Sequence, residues 1–143
     1  MKEISVEAKT DNLNSVIAFM EAFLEEAGAS PKASMQLCVA LEEMFVNIAN
    51  YAYEGTDIAM EQRTAQIALD VIEAEDGKRI CVTLTDEGVP YNPLAKVDPD
   101  ITLSAQERPI GGLGIYMVKK SMDAVSYERQ DNRNVFKMER RLG

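Results

Sequence analysis

The chain has 143 residues, a formal net charge of −9 and no histidine. So acidic a chain lacks the basic face that phosphate backbones require, which argues against nucleic-acid binding and against a polybasic membrane anchor. The absence of histidine excludes Ser-His-Asp catalysis, histidine metal ligands and a phosphohistidine formed in this chain. No apolar run approaches 18 residues and the first residues form no apolar block, so we expect one cytoplasmic domain over residues 1–143, without membrane contact.

The first half of the chain predicts one strand followed by two helices. Residues 2–9 alternate in polarity and are predicted to form a strand. Apolar side chains at helical spacing predict a helix over 12–27, which a glycine then ends. Ser30-Pro31 is typical of a helix N-terminus, and we expect this second helix to run through Tyr53.

The second half predicts two hairpins, separated by a long loop and a third helix. The expected strands are 64–73, 78–85, 124–130 and 133–141. The loop over 86–114 is rich in Gly, Pro and Asp, and a helix follows it to about Asp123. The order of elements predicts an α+β fold, a two-layer α/β sandwich in which three helices cover one face of a mostly antiparallel mixed sheet.

Three polar side chains interrupt the apolar surface of the second helix. Glu43, Asn47 and Asn50 follow at i, i+4 and i+7, so we expect them to share one face. Because burial without partners is costly, they either cap neighbouring backbone or line a polar pocket. In a pocket, the Asn47 oxygen suits Mg²⁺, and Glu43 can accept a proton from a nucleophile. The alternative is a solvated polar pair on an amphipathic helix.

Two loops place glycines beside groups that can bind a nucleotide. Asp86 ends a strand, where its carboxylate can accept a hydrogen bond from an exocyclic amine, and Gly88 lets the backbone approach a planar ring. Gly111, Gly112 and Gly114 precede the third helix, whose first N–H groups favour an anion. The alternatives are an ordinary Asp-Gly turn and a flexible loop end. The Walker pattern is absent.

In this order the segments EEMFVNIANYAY, DEGVPYNP and GGLGI resemble the N, G1 and G2 boxes of the GHKL ATPase superfamily. The segment 111–142 resembles the small anti-sigma-factor serine kinases, so the resemblance covers nearly the whole chain. It implies a Bergerat-type fold that binds ATP and Mg²⁺. It further implies a kinase that phosphorylates an anti-sigma-factor antagonist, a STAS-domain protein, and otherwise sequesters a sigma factor. Such proteins often form homodimers.

The resemblance assigns roles to five residues outside the glycine loop. Glu43 falls at the catalytic base that activates a serine hydroxyl, and Asn47 at the Mg²⁺ ligand. Asp86 falls at the aspartate that binds the adenine amino group, with Gly88 beside it. Tyr91 occupies an aromatic position of the G1 box.

The phosphate end of the site is implied in the same way. Gly112 and Gly114 fall at the glycines that wrap the phosphates, with Gly111 adjacent. The segment 94–110 would be the ATP lid. Within it, Arg108 would meet either the γ-phosphate or a carboxylate of a partner, or else remain solvated.

Two departures from the family pattern and two alternative functions remain open. Tyr91 and Asn92 stand where the G1 box often has Phe and Asp, and Asn134 stands where a threonine often lies near the base. A binding module without phosphoryl transfer would need Asn47 and Asp86 but not Glu43. The ATPase core of a histidine kinase is disfavoured because no histidine is present.

Overall fold

The computed structural model describes residues 1–95 and 113–143, with only the backbone of residue 113. Its helices and strands follow the predicted order. They are β1 (Lys2–Glu7), α1 (Leu13–Ala27), α2 (Pro31–Asn47), β2 (Thr64–Ala74), β3 (Gly77–Asp86), α3 (Leu113–Ser121), β4 (Ala124–Gln130) and β5 (Arg133–Arg141). Within the described ranges, no helix has the length and apolarity that a membrane crossing requires.

The five strands form one sheet in the order β1-β2-β3-β5-β4, and each neighbouring pair is antiparallel. The mostly antiparallel sheet is confirmed, but the described strands contain no parallel pair, so the sheet is not mixed. The reason lies in the chain path. The connection through α3 carries β4 past β3 in the same direction, and the following hairpin then inserts β5 between them.

Three helices pack on one face of this sheet, as predicted, and α2 lies in the middle, in contact with both α1 and α3. The strict alternation of β3 is confirmed, because Ile80, Val82 and Leu84 are all buried in the core. The largest fully buried side chains come from both layers: Val16, Met20, Leu37, Leu41, Phe45, Ile67, Leu69, Ile80, Val82, Leu84, Val118 and Met138. Burial of this apolar surface is the main force that holds the two layers together.

The second helix changes geometry before its predicted end at Tyr53. Regular α-helix ends at Asn47, and the chain continues as a π-helical turn over Ile48–Ala52. A π turn contains more residues than an α turn, so its side chains rotate away from the face that carries Glu43 and Asn47. Asn50 accordingly lines a separate groove beside the end of β1. The expectation that all three polar residues share one face is wrong for Asn50.

The helix boundaries expected between α1 and α2 are confirmed. Gly28 has a φ of 77° and ends α1 in the left-handed conformation. Ser30 caps α2, because its hydroxyl accepts a hydrogen bond of 3.1 Å from the N–H of Ala33, and Pro31 takes the first helical position. The local sequence therefore sets both the end of one helix and the start of the next.

The Ser30 cap leads to a first prediction. The variant Ser30→Ala leaves one N–H at the start of α2 without its acceptor, and should lower the free energy of unfolding by about 1 kcal/mol. Urea denaturation measures this loss. The control is Ser15→Ala, at an exposed position of α1. An equal loss in both variants would show that the cap is not its cause.

Candidate functional site

A cavity of about 340 Å³ lies between the end of α2, the end of β3 and the start of β5. Its wall is mainly apolar and includes Met44, Ile48, Leu84, Val89, Pro93 and Phe136. Asn47 and Asp86, which belong to two separate motifs, both line it. The size and the few polar groups are typical of a small-molecule site.

Asp86 is one of two buried polar residues that line this cavity. Its side chain is held where β3 ends, and the residue is only 6% exposed. One carboxylate oxygen, Oδ1, accepts hydrogen bonds from the Gly88 N–H at 2.9 Å and from the Asn134 amide at 3.0 Å. Among the described residues, none donates a hydrogen bond to Oδ2. The second oxygen is therefore available to a ligand.

Burial and the neighbouring polar groups shift the pKa of Asp86 in opposite directions. Burial raises the pKa of its carboxyl group above the ordinary value of 3.8. The hydrogen bonds from Asn134 and Gly88 and the positive charge of Arg129 oppose this rise, but do not cancel it. Ionised Asp86 is consequently less stable in the fold than in water, unless a ligand supplies a further donor.

Gly88 lies against the π turn that follows α2. The position of a Cβ on residue 88 is already occupied by the backbone carbonyl of Ala52, whose Cβ would be only 2.8 Å away. The next N–H, of Val89, donates a hydrogen bond of 2.8 Å to the Ala52 oxygen. Space is therefore needed at Gly88 for the protein's own helix end, whereas we expected it for a planar ring of the ligand.

Asn134 lies directly across from Asp86 in the β3–β5 pairing and is 6% exposed. Its amide also donates to the Val89 carbonyl at 2.8 Å, and its oxygen accepts from the Tyr91 N–H at 3.2 Å and the Tyr127 hydroxyl at 2.6 Å. Tyr91 lines the cavity, as its place in the motif predicts. The Asn134 side chain thus joins three segments of the site.

Three residues near the cavity escaped the sequence analysis. Arg129 donates a hydrogen bond of 2.9 Å to the Gly88 carbonyl, and Tyr127 lines the cavity beside it. Tyr53 donates to the Thr64 carbonyl at 2.5 Å and accepts from the N–H of residue 87 at 2.9 Å. A signal existed for the first two, because they alternate with Val125 along β4 and so share its core-facing side.

Glu43 lies outside the cavity, next to the first turn of α3. It is exposed, and a Cβ on Gly114 would lie 2.8 Å from its carboxyl carbon. The N-box glutamate and the last G2 glycine are therefore neighbours, one helical turn of α2 away from Asn47. Arg108, Gly111 and Gly112 lie outside the described residues, as does the expected lid from residue 96 onward.

The cavity fits the adenine end of a nucleotide, since it combines an apolar wall with one open carboxylate oxygen. For a metal ion, the described part of the chain contains no group of three or more Cys, Asp or Glu side chains suited to bind it. The single carboxamide of Asn47 fits Mg²⁺ that takes its remaining ligands from water and phosphates, as this ion commonly does. Both groups are therefore compatible with the residues present.

The burial of Asp86 leads to a second prediction. Because burial raises the pKa of this group, ionisation costs stability at neutral pH, and Asp86→Asn should raise the free energy of unfolding there. Well below pH 3.8 the folded and unfolded chains both hold the proton, so the gain should vanish. It should appear as the pH rises above that value and be complete above the folded-state pKa.

Urea denaturation across this pH range measures the gain, and Asp57→Asn, which changes an exposed carboxylate, is the control. A stability difference that does not depend on pH, or one that the control reproduces, would contradict the assigned cause.

Three known proteins resemble this chain over most of its length. The serine/threonine-protein kinase BtrW of Bordetella bronchiseptica is 23% identical over 132 residues, which are 92% of this chain and 86% of BtrW. The structure of the SiaB–SiaC complex from Pseudomonas aeruginosa superposes with a TM-score of 0.57 at 17% identity, over 98% of this chain and 89% of the other. The structural likeness agrees with the α+β architecture.

The third is a multidomain structure, the RsbU and RsbW domains of Rv1364c from Mycobacterium tuberculosis. It matches with a TM-score of 0.60 at 14% identity, over 99% of this chain but only 33% of that longer chain. The family model of the histidine kinase-like ATPase domain matches residues 6–140. This chain therefore belongs to the histidine kinase-like ATPase domain family.

Proposed function

We propose that the chain is an ATP-binding protein-serine kinase of the anti-sigma-factor type. The observation that carries this proposal is the cavity in which Asp86, with one open oxygen, and Asn47 meet on an otherwise apolar wall. The family to which the chain belongs is an ATPase domain family, and its relative BtrW is named as a serine/threonine kinase. Each element of the site then takes a specific role.

The adenine base would lie in the cavity, with its exocyclic amine donating to Asp86 Oδ2. Apolar side chains such as Ile48 and Phe136 would contact the faces of the ring, and Tyr91 would cover its outer side. A charge-assisted hydrogen bond in this buried position favours a base with an amine over one without. The cavity would therefore select the nucleotide by its base.

The phosphates would extend from the cavity toward the start of α3. Asn47, on the cavity wall, would hold Mg²⁺, which neutralises phosphate charge when bound. Gly111, Gly112 and Gly114 would supply backbone N–H groups to the phosphates, and the lid over 94–110 with Arg108 would close on them. In this arrangement Glu43, beside Gly114, is near the terminal phosphate.

Phosphoryl transfer would follow from these positions. The oxygen of a substrate serine forms a bond to the γ-phosphorus, while Glu43 accepts the proton of the hydroxyl. The bond between that phosphorus and the β,γ-bridging oxygen breaks, and ADP leaves with the electron pair. The products are phosphoserine, ADP and a proton on Glu43 that passes to water. Glu43 is exposed, so it can reach the hydroxyl of a second protein.

The proposed partners are an anti-sigma-factor antagonist with a STAS domain and a sigma factor. SiaB, a structural relative, has been solved in complex with SiaC, which supports a protein partner for this chain. The net charge of −9 favours association with basic protein surfaces. We also propose a homodimer, and a single domain over residues 1–143.

The third prediction tests Glu43 as the catalytic base. Purified protein is incubated with labelled ATP, Mg²⁺ and STAS-domain proteins encoded nearby, and phosphoserine is measured. Glu43→Ala should slow transfer about 10²–10⁴-fold, the usual contribution of a general base, while the affinity for ATP is retained. Glu42→Ala removes the adjacent exposed carboxylate and is the matched control.

Two other outcomes have distinct meanings. If the wild-type protein binds ATP with Mg²⁺ and its partner but never yields phosphoserine, the chain is a binding module without phosphoryl transfer. If it shows no Mg²⁺-dependent affinity for ATP, the proposal is wrong as a whole.

The fourth prediction uses the contact between α3 and Glu43. In Gly114→Ala, the added methyl group takes the space of the Glu43 carboxylate, which is the far end of a flexible side chain and can move without unfolding. The thermal midpoint should hardly change, and the transfer rate should fall. In the double variant with Glu43→Ala, the Gly114→Ala change should cause no further loss of rate. A further loss would show that Gly114 affects the transfer rate independently of Glu43.

A further inference from the structure

The side chain of Asn134 uses its full hydrogen-bonding capacity within the protein. Its two amide hydrogens go to Asp86 Oδ1 at 3.0 Å and the Val89 carbonyl at 2.8 Å. Its oxygen accepts from the Tyr91 N–H at 3.2 Å and the Tyr127 hydroxyl at 2.6 Å. A carboxamide has two donors and two acceptor lone pairs, so no group remains for a ligand.

These four contacts bring together parts of the chain that are far apart in sequence. Asp86 ends β3, Val89 and Tyr91 belong to the loop after it, and Tyr127 lies on the edge strand β4. Asn134 itself is fixed by its position in the β3–β5 pairing. The side chain of Asn134 thereby attaches the loop residues that line the cavity to the sheet, as Arg129 does through the Gly88 carbonyl.

We propose that Asn134 is a positioning residue that orients the Asp86 carboxylate and the loop over 89–91, and that it makes no direct contact with the base. This inference rests on the proposed function, because it assumes that Asp86 Oδ2 accepts the amine of the base. It differs from the sequence-based expectation, in which a polar side chain at this position lies near the base and interacts with it.

The geometry explains why orientation matters at this point. Asp86 has two oxygens, and rotation of its carboxylate would exchange the open oxygen for one that is already bonded. The Asn134 amide and the Gly88 N–H both hold Oδ1, which leaves Oδ2 as the oxygen that can accept from a ligand. Loss of the amide donor would leave only the Gly88 N–H to hold the carboxylate in place.

The Asn134 amide also stabilises the charged form of Asp86 and so lowers the pKa of this carboxyl group, whereas burial raises it. The other groups that act on this carboxylate are the guanidinium of Arg129, from β4, and the hydroxyl of Tyr53, from the end of the second helix. Of these two groups, only the Arg129 guanidinium carries a positive charge. Without Asn134, the pKa of Asp86 should rise further, so binding that needs the carboxylate should be lost at a higher pH.

The experiment measures the affinity for two ligands, ATP and purine riboside triphosphate, which lacks the amine, by titration calorimetry at several pH values. The wild-type protein should prefer ATP by about 10-fold or more, the range of a hydrogen bond to a charged group. The variant Asn134→Asp keeps the size and both acceptor contacts but loses the donor. In this variant the affinities for ATP and purine riboside triphosphate should become nearly equal. The pH midpoint of ATP binding should move upward.

Controls separate this inference from a structural effect. Asn134→Ala, which introduces no charge, should also lose the preference, and it replaces Asn134→Asp if that variant does not fold. Lys137→Ala lies on the opposite face of the same strand and should keep the wild-type preference and midpoint. If the Asn134 variants lose affinity for both ligands by the same factor, with an unchanged midpoint, the residue is merely structural and the inference fails.

Failure of the proposed function would give a different result from failure of the role of Asn134. In that case the wild-type protein would bind neither triphosphate. If the wild-type protein binds ATP with the expected preference and both Asn134 variants retain it, the proposed function stands and only the role of Asn134 is wrong.

Discussion

The site depends on the burial of one carboxylate at the end of β3. A buried carboxylate without donors is strongly unfavourable, so the chain around Asp86 must provide N–H groups in fixed positions. The facing strand provides the Asn134 amide, and the backbone turn provides the Gly88 N–H. Both groups donate to Oδ1 of Asp86. The hydrogen bonds that stabilise the buried carboxylate therefore leave Oδ2 open. The burial of Asp86 and its proposed role in ligand recognition therefore depend on the same hydrogen bonds.

The π turn after α2 connects this carboxylate to the helix that carries the rest of the site. The turn places the Ala52 carbonyl where the Val89 N–H can reach it, and Gly88 allows the two backbones to meet. A regular α-helix would have bonded this region differently, because π geometry shifts the register of the carbonyls. The loop at the base end is thus held from one side by the helix and from the other by Asn134. Such double attachment keeps a binding site preformed.

The two ends of the proposed site differ in character. The end proposed for the nucleotide base is mainly apolar and is built from residues of the sheet, of the loop after β3 and of the second helix. At the proposed catalytic end, Glu43 is exposed and its described neighbour is the start of α3. This division suits a kinase whose nucleotide is held by the domain itself and whose second substrate is another protein. It also suits the position of Glu43, the proposed proton acceptor, which lies outside the cavity although it is one helical turn from Asn47.

The sequence alone determined the order of elements, the helix boundaries at Gly28 and Ser30, and the alternation of β3, because these features depend on neighbouring residues. The resemblance of its motifs to a known family predicted that Asn47 and Asp86 share a site, and both residues line the same cavity. Only the tertiary structure decided that Asn50 points to another groove and that β5 separates β3 from β4. The full use of Asn134 within the protein was likewise decided there. The direction of a side chain in a π turn depends on contacts between distant segments, and so do the partners of a polar group on a facing strand. A local sequence pattern contains no information on such contacts.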